Sequence, residues 1–378
     1  MKKILFVTDS FLPLVDGVSR FTCEIIDTLH HDFDFKLLAP DYGLKLADYN
    51  GVPITYFGTN KLITVKAGQE YHPVIPNPFR ILKEVRRSDA VFVQSLPYLG
   101  AAAILSAKLL KKPVAMYFHQ IGWEQLRLVV PGPGWFKELV RFYSLLQIRF
   151  YSNLCDIIIA PSAEISDILN EAGIKAKKIV VNMGVDTKRF APQKNKASFK
   201  RKLGINSNNI VIGYCGRMSD EKNLLTLIRA YLRLSKKRAN LFLLLVGGGE
   251  RFEKYTLRNR NIKITGFVSD VVSYYNAMDI FVTPSLTETT GLSTLEAMSS
   301  GIPIITTPVG IALTSISNGY NGLIFSKGDV KGLANQIESL INNLPLRKKI
   351  SKNGRKSVLD NYSWDKTAEK IKGILINL

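Results

Sequence analysis

Two short stretches in the second half of the chain carry the residues best suited to chemistry. CGRMSDEKN places Arg217 directly after a glycine and Lys222 five residues later. ETTGLSTLE places Glu288 and Glu296 eight positions apart around a Thr-Thr-Gly turn. A guanidinium grips a phosphate with two bonds and an ammonium acts as a point charge, so the first stretch can surround an anionic group. Carboxylates accept hydrogen bonds from hydroxyls, so the second can bind a hydroxyl-rich group.

Each stretch also has an ordinary structural interpretation. CGRMSDEKN is equally typical of a solvated surface loop, and an acidic residue such as Glu296 early in a helix is often only a partner of the helix dipole. Glu288, in the loop after a strand, is not explained in that way. Gly291 is expected to begin a helix whose first N–H groups can bind a phosphate. Together the two stretches fit a nucleotide-diphosphate sugar, with its phosphates at Arg217, Lys222 and those amides.

The elements that must position these residues are short apolar strands alternating with helices. In the first half, buried runs such as FKLLAP, DAVFVQS, PVAMYFH and DIIIAPS alternate with helical stretches. The second half repeats the pattern from NNIVIGYC onward. Runs that are apolar throughout predict parallel strands covered on both faces, so the fold class is α/β with two doubly wound, Rossmann-like sheets. Two such sheets predict a cleft between the carboxyl ends of their strands, where ligands bind.

The length of 378 residues also favours two domains over one. We place the first at residues 1–187 and the second at 188–362, with a basic, turn-rich boundary. The amphipathic segment 363–378 has no following strand and is expected to pack back on the first domain. VGGGE follows one strand, but the GxGxxG fingerprint is missing, which counts against a dehydrogenase.

Charge and cysteine usage restrict the possible partners. The net charge of +20 is uneven, with +3 in residues 1–187 and +17 in the remainder. Either attraction to anionic lipid or nucleic acid, or lysines spread over solvated faces, explains this excess. The basic runs lack interleaved aromatic residues and a groove-reading helix, so we predict no nucleic-acid partner. Three widely spaced cysteines suit a reducing cytosol, and the longest apolar run, YLGAAAILSAKLL, is interrupted by Lys108 and is too short to span a membrane.

The complete set of motifs resembles the retaining glycosyltransferases of family 4, which have the two-domain GT-B architecture. The resemblance rests on GRMSDEK, VGGG, ITGFV, PSLTETTGLSTLEAMSSGIPIITTPVG and NGLIF, and on TDSFLPLVDGVSRF near the start. It covers nearly the whole chain, and Glu288 and Glu296 match the family's E-x7-E spacing. It implies a hexosyltransferase that needs no cofactor beyond a nucleotide diphosphate sugar, with UDP favoured over GDP and UDP-glucose as the expected donor.

The resemblance also implies roles for individual residues of the second half. Glu288 would contact hydroxyls of the donor sugar and Glu296 the ribose. Arg217 and Lys222 would hold the diphosphate and stabilise its departing charge, which in this family substitutes for a metal ion.

Further donor contacts follow from the same resemblance. Backbone around Phe267 and Val268 would meet the base, Gly17 would approach the phosphates, and His119 would lie beside the sugar near the reacting carbon. Taken alone, a histidine at the end of a buried strand is often only structural. The donor-binding set is completed by Gly216, Gly248, Thr290, Gly291 and Leu292. The family usually has an aromatic residue where this chain has Thr290.

The acceptor is predicted from a different segment. LRLVVPGPGWFKELVRFYSLLQIRFYS interleaves apolar and basic residues, which suits either a membrane interface or a long helix covering the sheet. PLVDGVSRF resembles relatives that glycosylate membrane lipids such as diacylglycerol. We therefore predict a glycolipid precursor as acceptor, and a cytoplasmic enzyme held peripherally on the inner face of an anionic membrane. The alternatives are a glycosyltransferase of cell-surface polysaccharide assembly and a non-catalytic nucleotide-binding protein.

Overall fold

Parallel pairing of the apolar runs builds two separate sheets. The computed structural model describes residues 1–14, 16–62, 65–66, 70–248, 259–288 and 290–378. Its first unit comprises residues 1–183 and 364–378, and its second unit comprises residues 184–363. The division after Met183 lies four residues before the boundary expected from the sequence.

The first unit contains an eight-stranded sheet with the order β10-β9-β8-β7-β1-β2-β4-β3. All pairs are parallel except β3 with β4. Its strands are β1 Lys3–Val7, β2 Asp34–Pro40, β3 Asp48–Tyr49, β4 Val52–Phe57, β7 Ala90–Val93, β8 Val114–Tyr117, β9 Ile157–Ala160 and β10 Lys177–Val180, with a separate antiparallel pair, β5 Val65–Lys66 and β6 Glu70–Tyr71.

The segments between these strands form helices, because their apolar residues recur at helical spacing. Helix α1 begins with a capping box in which Asp16 and Ser19 each accept the other's backbone N–H, and it buries Phe21 and Ile25 against the sheet. The helices of this unit are α1 Gly17–Leu29, α2 Pro78–Arg87, α3 Leu99–Leu109, α4 Gly122–Val129, α5 Gly134–Asn153 and α6 Ala163–Glu171, with the terminal α14 Trp364–Ile376 described below.

The second unit contains a six-stranded, entirely parallel sheet with the order β13-β12-β11-β14-β15-β16. Its strands are β11 Ile210–Cys215, β12 Leu241–Val246, β13 Ile262–Ile264, β14 Ile280–Thr283, β15 Ile304–Thr306 and β16 Leu323–Ile324, and its helices are α7 Lys196–Lys202, α8 Leu224–Ser235, α9 Val272–Ala277, α10 Leu292–Ser299, α11 Ile311–Ser315, α12 Val330–Asn342 and α13 Leu344–Asn361.

Both faces of this second sheet are covered, as the uninterrupted apolar runs predict. Along β11, Ile212 packs with the cluster that contains Leu227, whereas its neighbour Val211 packs with the cluster that contains Phe281 and Leu295. Successive strand residues point to opposite faces, so burial of both neighbours requires helices on both sides. The predicted fold class, two doubly wound Rossmann-like sheets, is confirmed.

The terminal helix α14 belongs to the first unit rather than to the second unit that precedes it. The Trp364 ring lies 6.0 Å from that of Phe21 on α1. The Thr367 hydroxyl donates to the Asn182 carbonyl at 2.9 Å, and the Lys2 ammonium donates to the Ile376 carbonyl at 3.1 Å. Among the described residues, no helix combines the length and apolar content that crossing a bilayer requires.

Candidate functional site

Three glycine loops meet at the carboxyl edge of the second sheet. Gly216 and Gly247 follow the neighbouring strands β11 and β12, with φ of 148° and 132°. A Cβ on Gly247 would lie 2.0 Å from the Gly216 carbonyl oxygen, so only glycine fits there. Gly266 after β13 bridges to Gly247, and the Met218 N–H donates to the Gly248 carbonyl at 3.0 Å. These contacts hold the three loops side by side.

The candidate donor-binding residues on those loops are open to solvent. Gly248 is exposed, and a Cβ added to it would meet no atom within 4 Å. The Phe267 side chain is 75% exposed, whereas Val268 is half-buried against the core. The loop therefore presents backbone at Gly248 and an aromatic ring at Phe267 to a ligand. Gly249 and Glu250 of the VGGGE motif lie outside the described residues.

Arg217 is held at this edge by a carboxylate that sequence reasoning missed. Its guanidinium donates to the Glu221 carboxylate at 2.9 Å, and the Ser219 hydroxyl donates to the same oxygen. Burial acts to raise the pKa of Glu221, but the bond from Ser219 and the charges of Arg217 and Lys222 outweigh it and lower that pKa. An ionised Glu221 thus orients a guanidinium that is itself about half exposed.

Lys222 and Glu288 form the most enclosed ion pair of this edge. The ammonium lies 2.7 Å from Glu288 Oε1, with the two side chains 18% and 13% exposed. The Ser285 hydroxyl donates to the same oxygen at 3.0 Å. A Cβ on Gly310, which has φ of 54°, would lie 2.9 Å from the Glu288 Cβ, so a glycine there lets the loop after β15 approach Glu288. Two positive groups and two carboxylates therefore lie in the loops that follow β11 and β14.

Helix α10 begins where the sequence predicted. Gly291 is its N-cap residue with φ of 75°, a left-handed conformation that favours glycine. Thr290 is buried and Leu292 is the first helical residue, while Thr289 lies outside the described residues.

Glu296 is more deeply buried than Glu288. It lies in the second turn of α10 and is 6% exposed, and its Oε2 accepts from the Tyr275 hydroxyl at 2.8 Å. Burial, followed by the nearby Cys215 and Glu296 charges, raises the pKa of Tyr275 well above its usual value. Tyr275 therefore remains a hydrogen-bond donor, and it orients the Glu296 carboxylate.

The carboxyl edge of the first sheet carries an uncharged pair. His119 follows β8, and its Nε2 lies 3.0 Å from Oε1 of Gln94, which follows the neighbouring β7. With the Gln94 oxygen as acceptor, Nε2 carries the proton and Nδ1 does not. The imidazole ring packs against the rings of Phe21 and Tyr117, at centroid distances of 5.1 and 4.6 Å.

The chemistry of His119 follows from that packing. Its burial lowers its pKa from 6.5 to about 3, so the imidazole is neutral at physiological pH. The buried atoms Nδ1 of His119 and Nε2 of Gln94 have no hydrogen-bond partner among the described residues. One is an acceptor and the other a donor, a combination that suits a hydroxyl group. Gly17, the other candidate residue of this unit, is exposed at the first turn of α1.

Sequence reasoning missed the partners that orient the candidate residues. Glu221 lies four residues after Arg217, a spacing that is a usable signal on a turn or helix. Gln94 and Ser285 are polar residues one and two positions after buried strands, which is a second signal. Gly310 could not have been identified, because its role depends on the approach of two loops. In the described part of the chain, no group of three or more His, Cys, Asp or Glu residues is arranged to hold a metal ion.

Comparison with known proteins identifies relatives for both units. The family described as Glycosyltransferase Family 4 matches residues 15–189, and the family described as Glycosyl transferases group 1 matches residues 195–357. The capsular polysaccharide biosynthesis glycosyltransferase CapM of Staphylococcus aureus is 32% identical over 306 residues, which cover 75% of this chain and 78% of CapM.

Two further proteins match the whole chain. The Escherichia coli UDP-Gal:alpha-D-GlcNAc-diphosphoundecaprenol alpha-1,3-galactosyltransferase is 26% identical, covering 100% of this chain and 97% of that protein. The crystal structure of Anabaena HepE in complex with UDP-glucose superposes with a TM-score of 0.79 at 20% identity, covering all of both chains. At that identity the structural likeness speaks for the fold alone.

Proposed function

The chain belongs to glycosyltransferase family 4, and from that premise we propose that it transfers a hexose from a UDP-sugar to a hydroxyl acceptor, with retention at the anomeric carbon. The observation that carries the proposal is the 2.7 Å pairing of Lys222 with Glu288 beside Arg217, at the carboxyl edge of a parallel sheet. Strand ends of this kind are where open α/β sheets bind ligands.

The proposed donor is a uridine diphosphate sugar, with glucose as the expected hexose. Two of the compared proteins have UDP-sugars in their names or crystals, which supports UDP over GDP. The open space at Gly248 leaves room for phosphate and ribose close to the backbone. The exposed Phe267 would contact the base, and Glu296, oriented by Tyr275, would accept from the ribose.

Catalysis in this proposal depends on stabilising the leaving group. As the glycosidic bond breaks, negative charge grows on the UDP phosphates, where Arg217 and Lys222 stabilise it. Glu221 and Glu288 orient these two cations before the donor binds. The departing phosphate takes the proton of the incoming hydroxyl on the same face of the sugar. The step therefore needs neither a nucleophile from the protein nor a metal ion.

His119 would act by hydrogen bonding rather than by proton transfer. A pKa of about 3 leaves its imidazole without a proton to donate from Nδ1 at neutral pH. Nδ1 can accept from a sugar hydroxyl while Gln94 holds Nε2, and Gly17 would meet the donor phosphates. These two residues remain predictions for the first unit.

The proposed acceptor is a hydroxyl on a membrane lipid, with diacylglycerol as the predicted example. The E. coli relative is named for a GlcNAc-diphosphoundecaprenol acceptor, which supports a hydroxyl on a lipid-borne molecule. CapM is named for capsular polysaccharide biosynthesis, so a lipid-linked sugar of polysaccharide assembly is the second candidate. In either case the enzyme would associate peripherally with an anionic membrane.

The test incubates the protein with UDP-glucose, UDP-galactose and GDP-mannose, each with detergent-dispersed diacylglycerol or a polyprenyl diphosphate sugar. We expect transfer from a UDP-sugar in the presence of EDTA, and an α-linked product by NMR. A β-linked product would contradict retention. Loss of turnover in EDTA that added Mg²⁺ restores would contradict metal independence.

A further inference from the structure

Helix α5 has a solvent-exposed apolar face that packing inside its unit does not use. Of its 20 residues, only Ser144 and Ser152 are buried, and Leu145, Ile148 and Tyr151 pack partly buried against the core. On the opposite side lie large apolar side chains whose exposure ranges from 36% to 71%. This surface, here called the outer face, consists of Trp135, Phe136, Leu139, Phe142, Tyr143, Leu146 and Phe150.

The spacing of these residues makes the outer face continuous. At about 100° per residue, Trp135, Leu139, Phe142, Leu146 and Phe150 form one stripe. With Phe136 and Tyr143 they cover an arc of about 120° in which no charged residue falls. The packed residues lie on the other side of the helix, so α5 has two apolar faces. A contiguous exposed apolar surface formed by seven large side chains marks an interaction site.

Charge around this helix is uneven in a way that matches an anionic surface. Residues 99–153, which include α3, α4 and α5, contain seven basic and two acidic residues, a net charge of +5. The rest of residues 1–187 has a net charge of −2. The two acidic residues, Glu124 and Glu138, are already paired with Arg127 and Arg141. The basic charge of the first unit is therefore concentrated on the segment that presents the outer face.

We propose that the outer face of α5 inserts into the interfacial region of an anionic lipid bilayer and holds the enzyme on the membrane. The inference rests on the proposed lipid acceptor, since a bilayer-bound enzyme meets its acceptor in two dimensions. Five of the seven residues are aromatic, and Trp and Tyr favour the headgroup region because their rings are apolar and their tips polar. The net positive charge of the same segment adds attraction to anionic headgroups.

A second copy of this chain is a poorer occupant of the outer face. A helix pair would require interdigitating aliphatic residues at its seam, as in coiled coils with Ile, Val or Leu at the core positions. Here Trp135, Phe142 and Phe150 occupy most of the stripe. The same segment would also bring its net positive charge against itself.

The first experiment uses flotation with vesicles of phosphatidylcholine alone and of an equimolar mixture with phosphatidylglycerol. We expect the wild type to float with the mixed vesicles and more weakly with phosphatidylcholine. The double variant Phe142→Glu, Leu146→Glu should lose vesicle partitioning at least about tenfold. The matched control, Leu62→Glu with Leu359→Glu, adds the same charge at two exposed leucines elsewhere and should bind as the wild type does. Equal flotation of both variants would overturn the proposal.

Tryptophan fluorescence gives a second readout that does not depend on activity. Trp135 is 71% exposed, whereas Trp123 and Trp364 are 4% and 6% exposed, so only Trp135 can move from water into lipid. Mixed vesicles should shift the emission to the blue, and Trp135→Phe should abolish the shift. A shift that persists in Trp135→Phe would place the membrane contact elsewhere on the protein.

Two outcomes separate this inference from the proposed function and from self-association. If the wild type floats through α5 but transfers no sugar to any lipid, the membrane face stands and the proposed acceptor fails. If light scattering shows a wild-type dimer that the double variant dissociates, while vesicles bind neither protein, the outer face is a protein interface and the proposal is wrong. Far-UV circular dichroism of both variants reports whether the helix still forms.

Discussion

The carboxyl edges of the two sheets carry different pairs of polar side chains. The edge of the second sheet places Arg217 and Lys222 in ion pairs of 2.9 and 2.7 Å with Glu221 and Glu288. The edge of the first sheet places His119 against an uncharged glutamine, and burial keeps its imidazole neutral. Both are strand ends of parallel sheets, so fold alone does not distinguish them.

The difference indicates which part of a substrate each edge suits. Paired cations remain charged when desolvated because their carboxylates stay close, and they attract a diphosphate. A neutral imidazole and an amide distinguish donors from acceptors without attracting charge, which suits hydroxyl groups. The four predictions below test this contrast, from the largest expected effect to the smallest.

Removing either cation of the second sheet should abolish most of the activity. We expect Lys222→Ala and Arg217→Ala each to lower kcat for sugar transfer by about 10²–10³-fold, because charge on the leaving diphosphate loses a stabilising partner. Lys327→Ala, which removes an exposed lysine of the same unit, is the control and should keep wild-type turnover. Wild-type turnover in both site variants would contradict the proposal that this edge binds the diphosphate.

Lowering the pH should destabilise the folded protein because the imidazole of His119 in the first sheet is neutral. The folded pKa of His119 is about 3 against 6.5 ordinarily, so the unfolded chain takes up the proton first as the pH falls. The stabilisation is present above pH 6.5 and is lost as the pH falls from 6.5 towards 3. Between pH 7 and 5, the free energy of unfolding should fall by about 2 kcal/mol more in the wild type than in His119→Gln. Urea unfolding of both proteins measures this difference, and equal slopes would show that the folded protein protonates this imidazole as readily as the unfolded chain does.

Tyr275→Phe tests whether Glu296 takes part in binding the donor. The substitution removes the hydroxyl that donates to a buried carboxylate, so the free energy of unfolding should fall by about 1.5 kcal/mol. The KM for the UDP-sugar should rise with little change in kcat if Glu296 binds the ribose. Tyr320→Phe, at an exposed position, provides the matched control in both assays. A change in kcat alone would argue against a ribose contact.

Salt should affect the two edges differently. Arg217 is about half exposed, so ionic strength screens its attraction for the diphosphate, and KM for the UDP-sugar should rise a few-fold between low and physiological salt. In Arg217→Ala that dependence should weaken, whereas in His119→Gln it should match the wild type. An equal loss of salt dependence in both variants would remove the contrast between the edges.

The amino-acid pattern was sufficient to predict the fold. Runs that are apolar at every position, such as that of β12, can be buried only by layers on both sides, and this local requirement does not depend on distant residues. The same applies to Gly291, whose type and position before an apolar helical run indicated the start of α10. Arg217, Lys222 and Glu288 were identified because they lie in the loops that follow strands, where parallel sheets gather their functional groups.

The parts that were missed arise from contacts between segments far apart in the chain. Gln94 meets His119 because β7 and β8 are neighbours in the sheet, and Gly310 is required because one loop approaches Glu288. Sequence spacing contains no distance between loops, so the place of Gln94 after a strand marks it as a candidate, but its pairing with His119 and the approach of Gly310 to Glu288 could not be predicted.

Helix α5 shows a feature that the sequence could not predict, namely which of its apolar faces is buried. Its composition fitted both a membrane interface and a helix covering the sheet, because the chain contains enough apolar residues for two faces. Packing decided which of them meets the core, and only a folded unit could show that Trp135 and Phe142 remain in solvent. Local sequence therefore determined the strands, helices and charged strand ends, while the tertiary structure determined which polar atoms pair and which apolar surface stays exposed. The reason is that burial and hydrogen bonding depend on neighbours that the order of residues does not specify.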